Sequence, residues 1–417
     1  MKKMIVWLVF ALSGFALASP AQDVFDEVNY FLVLNYGGFS SANVRDFSDK
    51  YQPQIMAACM DRVDTCPAVA TYPVIDTMMA ELADKHTYFI PGAAARVRSI
   101  FAGTATNQSF GIRLTQVKNR VGAFVDDVVM GSSGQETGIK RGDWLLGING
   151  QTLINDPENI GDIWFAAQQS SDLSSLVISR QNKTMTVRLK PRVQNATELP
   201  NLSLRDDGVA ILKIPTFALT PRVIGLAIHE RVLEAQQKSA KAMIVDLRGN
   251  GGGVIVDAMA GVSAFLADGL ERHLLSKNAF ANFEAKYELG NITQIFNGKP
   301  RVLYTIPKPA KWTLPVAVLV NSQSASASEF FSLDFQNAKR GAVIGEVTKG
   351  VANTAISGFT ISDGSFLFVT VAKNLRPDGT AFSEFVTPEV LVKDDLEFLN
   401  RTGHDALLEK ALEIFKQ

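Results

Sequence analysis

A serine-rich segment that follows a short apolar run is the part of the chain best suited to carry chemistry. The run 315–320 has the uncharged, β-rich character of a buried strand, and Asn-Ser-Gln-Ser-Ala-Ser-Ala-Ser-Glu follows at 321–329. Apolar residues at near-helical spacing then continue to Lys339 and Arg340. Such a strand-to-helix turn leaves backbone N–H groups unpaired, and these can stabilise a developing negative charge. The pattern predicts a serine presented to a substrate; a serine-rich helix cap without chemistry is the alternative.

A glycine-rich turn offers a second set of unpaired amides. The sequence Ala-Met-Ile-Val-Asp-Leu-Arg-Gly-Asn-Gly-Gly-Gly at 242–253 is an apolar run that leads into this turn. Consecutive glycines let the backbone approach a ligand closely and direct N–H groups at negative charge. A phosphate-binding Walker loop is excluded because no Lys-Ser or Lys-Thr follows, and Val254 interrupts the dinucleotide-binding pattern.

A reactive serine needs a neighbouring group that accepts its proton, and the four histidines are the first candidates. His86 lies in Asp-Lys-His-Thr-Tyr at 84–88. His229 falls within a predicted helix, His273 follows an arginine in a charged patch, and His404 starts the last predicted helix. Because a single histidine is more often structural than catalytic, His86 needs support from its context.

Three textures divide the chain beyond its amino terminus. Residues 22–105 carry helical apolar spacing, 108–192 consist of short β-rich runs with glycines between them, and 201–417 alternate strands with helices. In the last region the predicted strands are 209–214, 242–247, 316–320, 342–344 and 366–372, and the predicted helices are 221–239, 326–339 and 405–415. This alternation favours an α/β core whose sheet is covered by helices.

The β-rich region resembles a PDZ domain. Its strand-like runs are 110–114, 121–129, 144–148 and 176–189, and the stretch Thr-Gly-Ile-Lys-Arg-Gly-Asp-Trp-Leu-Leu-Gly-Ile-Asn-Gly at 137–150 ends in an Asn-Gly turn signal. A PDZ domain captures a peptide by adding it as a strand to an open sheet edge. The resemblance implies a carboxylate-binding turn near Phe110, Gly111 and Ile112. A small β domain that only positions its neighbour is the alternative.

The order of the motifs resembles the C-terminal processing (tail-specific) peptidases, whose tricorn-like branch shares the same core. The PDZ-like region is followed by the glycine turn, the serine segment, Gly-Glu-Val-Thr-Lys-Gly at 345–350 and the stretch 376–392. The resemblance implies a serine endopeptidase on a crotonase/ClpP-like α/β core, with protein or peptide substrates, C-terminal tails above all, and no metal or cofactor. It carries over Ser326 as the nucleophile, the amide of Ala327 as one oxyanion donor, and an amide of Gly252 or Gly253 as the other.

The identity of the base is less direct. Processing peptidases use a lysine where this chain has Val351, and Lys349 is two residues early, about 7 Å away along an extended strand, whereas proton transfer needs a reach of about 3 Å. The tricorn-like branch uses a histidine, and by that resemblance His86 is the predicted base. Lys349 and a catalytically disabled site are the alternatives. Glu384 is the predicted third member of the triad, with Asp378 in reserve.

The amino terminus predicts export. Met-Lys-Lys, the apolar run 4–12 and Ala-Leu-Ala at 16–18 form the three parts of a signal peptide, with cleavage after Ala18 or, as second choice, Ala21. We therefore expect a periplasmic or secreted protein without a transmembrane segment in the mature chain. In an oxidising compartment Cys59 and Cys66 should form a disulfide; free thiols and a weak zinc site are the alternatives. The net charge of −1 argues against nucleic acid as a partner.

The predicted organisation is a signal peptide at 1–18, a helical domain at 22–105, a PDZ-like domain at 106–193 and a peptidase core at 200–417. The predicted function is an exported endopeptidase that binds polypeptide tails and hydrolyses peptide bonds through an acyl-enzyme. A disabled homologue that acts as a peptide-binding scaffold is the first alternative. An acyl-CoA enzyme of crotonase type is a third, which export disfavours because that cofactor is cytosolic.

Overall fold

The structure, a computed structural model, describes residues 19–195, 198–218, 222–276, 282–296, 299–376 and 378–416. The predicted signal peptide at 1–18 lies outside the described residues. The chain divides into two compact units. The first consists of Met1–Ala94 and Ile356–Val371, and the second of Ala95–Ala355 and Ala372–Gln417.

The secondary structure mixes helices and strands throughout the described ranges. The helices are α1 Pro20–Asn35, α2 Phe47–Ala58, α3 Tyr72–Leu82, α4 Ala94–Phe101, α5 Ser133–Glu136, α6 Pro157–Gln169, α7 Ile224–Gln237, α8 Ile255–Val262, α9 Ala327–Asn337, α10 Leu396–Thr402 and α11 Ala406–Ile414. The strands are β1 Tyr88–Ile90, β2 Thr106–Ser109, β3 Ile112–Thr115, β4 Ala123–Val128, β5 Trp144–Ile148, β6 Gln151–Thr152, β7 Ser174–Arg180, β8 Lys183–Leu189, β9 Arg192–Asn195, β10 Asn201–Leu204, β11 Val209–Lys213, β12 Ala242–Asp246, β13 Glu271–Ser276, β14 Phe283–Glu288, β15 Asn291–Phe296, β16 Lys299–Thr305, β17 Val316–Val320, β18 Val343–Gly345, β19 Thr354–Thr360, β20 Phe366–Leu375 and β21 Val390–Leu391.

The N-terminal unit packs the apolar faces of α1, α2 and α3 into one core. The Ser19 side chain caps α1 by accepting the Gln22 N–H. Cys59 and Cys66 form the predicted disulfide. A segment from far along the chain completes this core: β1 pairs antiparallel with residues 366–368 of β20, and buried side chains of that segment join the helices. The late segment is therefore part of the core of the N-terminal unit.

The PDZ-like part of the second unit is built on a sheet of order β3-β4-β5-β7-β8, with β6 paired to β5. The predicted Asn149-Gly150 turn joins β5 to β6, and both residues have positive φ. The strand-like run 176–189 is two strands, because the chain reverses at Gln181 and Asn182, which also have positive φ. Strand β3 lies at one end of the sheet order, as strand addition by a peptide requires.

The core sheet has the order β10-β11-β12-β17-β18-β21. In this sheet β11, β12, β17, β18 and β21 run parallel to one another, and β10 is antiparallel to β11. Alternate residues of β12 and β17 face two clusters, one formed with α7, α8 and α9 and the other with α11. Both faces of these strands are thus buried, which explains their continuous apolar runs. Because β12 and β17 are parallel neighbours, their carboxyl ends lie side by side. The glycine turn and the serine segment, which follow these two strands, therefore leave the sheet on the same side.

The predicted α/β class is confirmed, and the predicted core strands are present with ends shifted by at most three residues. The predicted helices 326–339 and 405–415 appear as α9 and α11, and 221–239 as α7, with residue 221 itself outside the described ranges. Between α8 and β17 the sequence gives no clear pattern. The structure has antiparallel pairs from β13 to β16 there, and β13 also pairs with residues 372–375 of β20.

Candidate active site

The serine segment presents one of its serines and uses two to hold its own shape. The buried Ser324 hydroxyl donates to the Leu247 carbonyl at 2.9 Å and accepts the Asn321 N–H. The buried Ser328 hydroxyl donates to the Asn250 carbonyl at 2.8 Å. Ser326 lies between them, half-buried, at the start of α9, with φ 53° and ψ −115°, a region that L-residues rarely occupy. The fold therefore holds Ser326 in a strained position that its flanking serines stabilise.

The glycine turn lies directly against this serine. Gly252 has φ 96°, and a Cβ added there would lie 2.7 Å from the Ser326 Cβ and 2.9 Å from the Ala327 nitrogen. Real Cβ atoms do not approach that closely, so only glycine fits. The two motifs are far apart in the chain, and they meet because β12 and β17 are neighbours in the sheet.

Where the glycine turn meets the serine segment, two backbone N–H groups, those of Gly253 and Ala327, have no acceptor among the described residues. The Gly252 N–H donates to the Asn250 side-chain oxygen at 2.9 Å. Gly253 bridges to Phe217 through the Gly252 carbonyl and the Val254 N–H, so its own N–H points the other way. Neither the Gly253 N–H nor the Ala327 N–H has an acceptor among the described residues. Of the two predicted glycine donors, the geometry favours Gly253 over Gly252.

Glu329 ties the turn at Ser326 to the segment 348–351. Its carboxylate accepts the N–H of Ser326 at 2.7 Å, the Thr348 hydroxyl, and the N–H groups of Gly350 and Val351. Burial raises the pKa of Glu329, and these donors oppose that rise. Sequence reasoning missed this residue, although Ser326-x-x-Glu329 has the capping-box spacing that would have identified it.

Val351, at the position where a lysine base was expected, and Lys349, the nearest lysine in the sequence, differ in exposure. The Val351 side chain is buried, with its backbone N–H held by Glu329. The Lys349 side chain is exposed, while its backbone N–H donates to the Ser324 carbonyl at 3.0 Å. The lysine thus faces solvent from a backbone that is fixed beside the serine segment.

His86 lies in the N-terminal unit, in the turn between α3 and β1. Its backbone N–H donates to Asp84 Oδ1 at 2.9 Å, and the Thr87 hydroxyl donates to the same carboxylate. The side chain is buried, and burial lowers the pKa of His86 to about 4, although the Asp84 charge opposes this. The imidazole is therefore neutral near pH 7, and the same burial makes it a weaker proton acceptor than an ordinary histidine.

The candidates for the third member lie in the second unit and differ in what they do. Glu384 is half-buried, and its backbone carbonyl accepts the Ala352 N–H at 3.0 Å. Asp378 is exposed and accepts both the N–H and the hydroxyl of Thr380, which lowers the pKa of Asp378. Asp378 thus stabilises a surface turn of its own.

Two other histidines, His229 and His404, are hydrogen-bonded elsewhere in the structure. His229 is buried in α7, where its ring bonds the Ala260 carbonyl at 2.8 Å and accepts the Ala310 N–H at 3.0 Å. His404 is exposed and paired with Glu409. The structure thus gives His229 and His404 partners outside the serine segment.

The predicted carboxylate-binding turn of the PDZ-like domain is occupied by side chains of the same domain. Phe110 is buried against the Trp164 ring, and its N–H lies 3.4 Å from Gln168 Oε1. The Gly111 N–H donates to the Ser109 hydroxyl at 2.9 Å. Ile112 starts β3. A ligand carboxylate at this turn would have to replace these neutral acceptors.

A cavity of about 210 Å³ lies between the PDZ-like domain and the glycine turn. Arg113 and Glu198 contribute charged groups to its wall, and the turn contributes Gly249 and Gly251. Sequence reasoning gave no sign of it, because its wall combines residues from five separate stretches of the chain. The cavity leaves room for a polar group beside the turn that contacts Ser326.

A parallel α/β core that sets a strained serine against a glycine turn, preceded by a PDZ-like domain, defines the class of serine-type peptidases with a PDZ domain. Residues 208–392 match the model of peptidase family S41, and residues 99–158 match the model of the PDZ domain. These two stretches of the chain are therefore similar to an S41 peptidase domain and to a PDZ domain. This confirms the resemblance to the C-terminal processing peptidases that the motifs predicted.

Known proteins with similar chains bear names of the same kind. The chain is 26% identical over 334 residues to the chloroplastic carboxyl-terminal-processing peptidase 2 of Arabidopsis thaliana, covering 76% of this chain and 60% of that protein. It is 25% identical over 431 residues to the chloroplastic C-terminal processing peptidase of Tetradesmus obliquus, covering 94% and 84%. The chain thus spans less than two thirds of the Arabidopsis relative.

A solved structure of the photosystem II D1 C-terminal processing protease has the same fold. It superposes with a TM-score of 0.51 at 20% sequence identity, over 95% of this chain and 97% of that chain. In the described part of this chain, no helix has the length and apolarity needed to cross a membrane.

Proposed function

We propose that the protein is an exported serine endopeptidase that cleaves polypeptides through an acyl-enzyme at Ser326. The observation that carries the proposal is the contact between Gly252 and the Ser326–Ala327 pair. The N–H groups of Ala327 and of Gly253, the next residue of the turn, have no acceptor among the described residues. Converging N–H groups of this kind stabilise the oxyanion of a tetrahedral intermediate, and loss of one donor costs about 3 kcal/mol.

The chemistry follows the pattern of acyl transfer. The Ser326 oxygen attacks the scissile carbonyl carbon while its proton passes to the base, and the carbonyl oxygen becomes an oxyanion bound by the Ala327 and Gly253 amides. The intermediate collapses as the leaving amine takes the proton from the base, which leaves an ester on Ser326. Water, deprotonated by the same base, then hydrolyses that ester.

We propose His86 as the base. The support is the neutral state of its buried imidazole, the Asp-x-His-Thr pattern around it, and the presence of Val351 where a lysine would otherwise serve. Glu384 is the group we propose to orient the imidazole. Lys349 is the weaker candidate for the base, since its exposed ammonium is strongly hydrated.

The substrates we propose are polypeptides held by their C-terminal tails. Strand β3 at the end of the PDZ sheet offers an edge for such a tail, with Phe110, Gly111 and Ile112 at its start. The names of the relatives, which describe carboxyl-terminal processing, support the same class. Export is supported by the basic and apolar stretches of residues 1–18.

A fluorophosphonate probe together with an unfolded protein substrate tests the proposal. Wild-type protein should be labelled and should cleave the substrate, Ser326→Ala should do neither, and His86→Ala should lose about 10³-fold or more in labelling rate. Lys349→Ala, the matched control, should remain close to wild type.

Two other results would change the assignment of the base or of the function. Labelling that depends on Ser326 and survives in His86→Ala but not in Lys349→Ala would make the lysine the base. The presence of Val351 at the lysine position also favours a second candidate, a disabled peptidase that binds peptides as a scaffold. Absence of Ser326-dependent labelling together with retained peptide binding would establish that function instead.

A further inference from the structure

An arginine of the PDZ-like domain is built into a cluster of charges in the peptidase core. The Arg141 guanidinium donates to both oxygens of Asp394, at 2.8 and 2.7 Å, and to Asp405 at 3.4 Å. Its Nε donates to the backbone carbonyl of Asp126 at 2.9 Å. The Arg141 side chain is only 16% exposed and that of Asp394 only 6%. This contact joins two parts of the same compact unit through buried hydrogen bonds, in which one guanidinium nitrogen, Nη2, serves both oxygens of Asp394.

The same carboxylates are shared with the glycine-turn motif. Arg248 donates to both oxygens of Asp246 and of Asp405, and it lies 3.5 Å from Asp394. Both arginines lower the pKa of Asp394, so the carboxylate is charged. Two arginines therefore face three carboxylates, those of Asp246, Asp394 and Asp405, and removal of either arginine increases the excess of negative charge around the other.

One more residue carries this contact to the site. The Asn321 side-chain amide donates to Asp394 at 2.9 Å, and its side-chain oxygen accepts the Gly249 N–H at 3.0 Å. Asn321 is the first residue of the serine segment, and Gly249 is the first glycine of the turn. A continuous path of hydrogen bonds thus runs from Arg141 through Asp394 and Asn321 to both motifs.

We propose that Arg141 is a positioning residue: through Asp394 and Asn321 it lets the PDZ-like domain hold the glycine turn in the geometry that presents the open amides to Ser326. The proposal rests on the proposed function of that site. Without the guanidinium, Asp394 loses the nitrogen that donates to both of its oxygens, and its carboxylate turns towards Arg248. Asn321 then loses its fixed acceptor, and the Gly249 end of the turn loses its fixed orientation.

The test compares Arg141→Met and Arg141→Lys with Arg180→Met. Arg180 is the matched control because its guanidinium also binds both oxygens of a carboxylate, that of Asp143, but entirely within the PDZ-like domain. The readouts are the fluorophosphonate labelling rate of Ser326, kcat and KM on a short blocked peptide without a free carboxyl terminus, and thermal unfolding.

We expect Arg141→Met to lower kcat and the labelling rate about tenfold with KM nearly unchanged, since a displaced oxyanion donor acts in the transition state. Arg141→Lys, which keeps the charge but not the several donors of the planar guanidinium, should recover part of that loss. Arg180→Met should lower the unfolding temperature without changing kcat.

Several results would overturn the proposal. A folded Arg141→Met with wild-type kcat would do so, as would an equal fall of kcat in Arg141→Met and Arg180→Met, which would indicate general destabilisation. If Arg141→Met does not fold, wild-type kcat in Arg141→Lys would have the same meaning. A wild-type protein that the probe does not label would instead count against the function proposed for Ser326.

Discussion

At the scale of single residues, the site depends on which polar groups are engaged and which are left open. Ser324 and Ser328 are held by backbone carbonyls, and the Gly252 amide is held by Asn250. The amides of Ala327 and Gly253 are left without an acceptor among the described residues. The motif identifies the segment, whereas the hydrogen-bond partners distinguish the groups within it.

The contact at Gly252 gives a direct prediction. Gly252→Ala should reduce the labelling rate of Ser326 about 100-fold, because the new Cβ meets Ser326 and Ala327 and the residue must keep a positive φ. Gly251→Ala is the comparison, since a Cβ there meets no heavy atom of the described residues within 4 Å beyond its chain neighbours. A Gly252→Ala protein labelled as fast as Gly251→Ala would contradict the close packing of turn and nucleophile.

At the scale of elements, the parallel pairing of β12 and β17 places the glycine turn and the serine segment at the carboxyl ends of neighbouring strands. Glu329, at the start of α9, binds the segment 348–351. The carboxylate accepts four donors, more than the side chain of any other residue in this turn. Helix α9 therefore fixes the position of Ser326 and that of the segment 348–351 together.

Glu329→Gln tests this role of α9. A glutamine has one accepting oxygen, so part of the donor set would face an NH₂ group, and we expect a fall of about tenfold in the labelling rate of Ser326. Glu389→Gln is a suitable comparison, because the Glu389 carboxylate accepts the Val343 N–H at the opposite end of β18. Equal labelling of the two variants would show that the donors find other partners.

Sequence patterns predicted the elements that form from local signals and missed those that depend on distant pairing. The parallel strands are continuous apolar runs, and α9 and α11 have clear helical spacing, so they were predicted within a few residues. The strands β13 to β16 are short and irregular in pattern, and their pairing partners decide their conformation. The roles of Asn250, Asn321 and Asp394 are invisible in the sequence because each depends on a contact with another stretch of chain.

At the scale of the whole molecule, each compact unit buries a histidine whose proton affinity is reduced. Burial lowers the pKa of His86 in the N-terminal unit and of His229 in the second unit to about 4 each, from an ordinary value of 6.5. The unfolded chain then binds more protons than the folded chain between these values. Stability should therefore fall as the pH falls through that window.

We expect the free energy of unfolding to decrease between pH 7 and pH 5 by about 2 kcal/mol for each of these histidines. Urea unfolding at the two pH values measures the change. In His86→Gln the decrease should be smaller by that amount, whereas His404→Gln, at an exposed position, should keep the full pH dependence. An unchanged decrease in His86→Gln would show that another group governs acid sensitivity.

The segment 356–371 has a consequence for how the chain can be divided. Its buried residues Ile361, Leu367 and Val369 complete a core whose other members come from the first 94 residues. A shortened protein that starts after that point would display these apolar side chains to solvent and should precipitate or self-associate. The two stretches, co-expressed as separate polypeptides, should instead restore solubility by complementation.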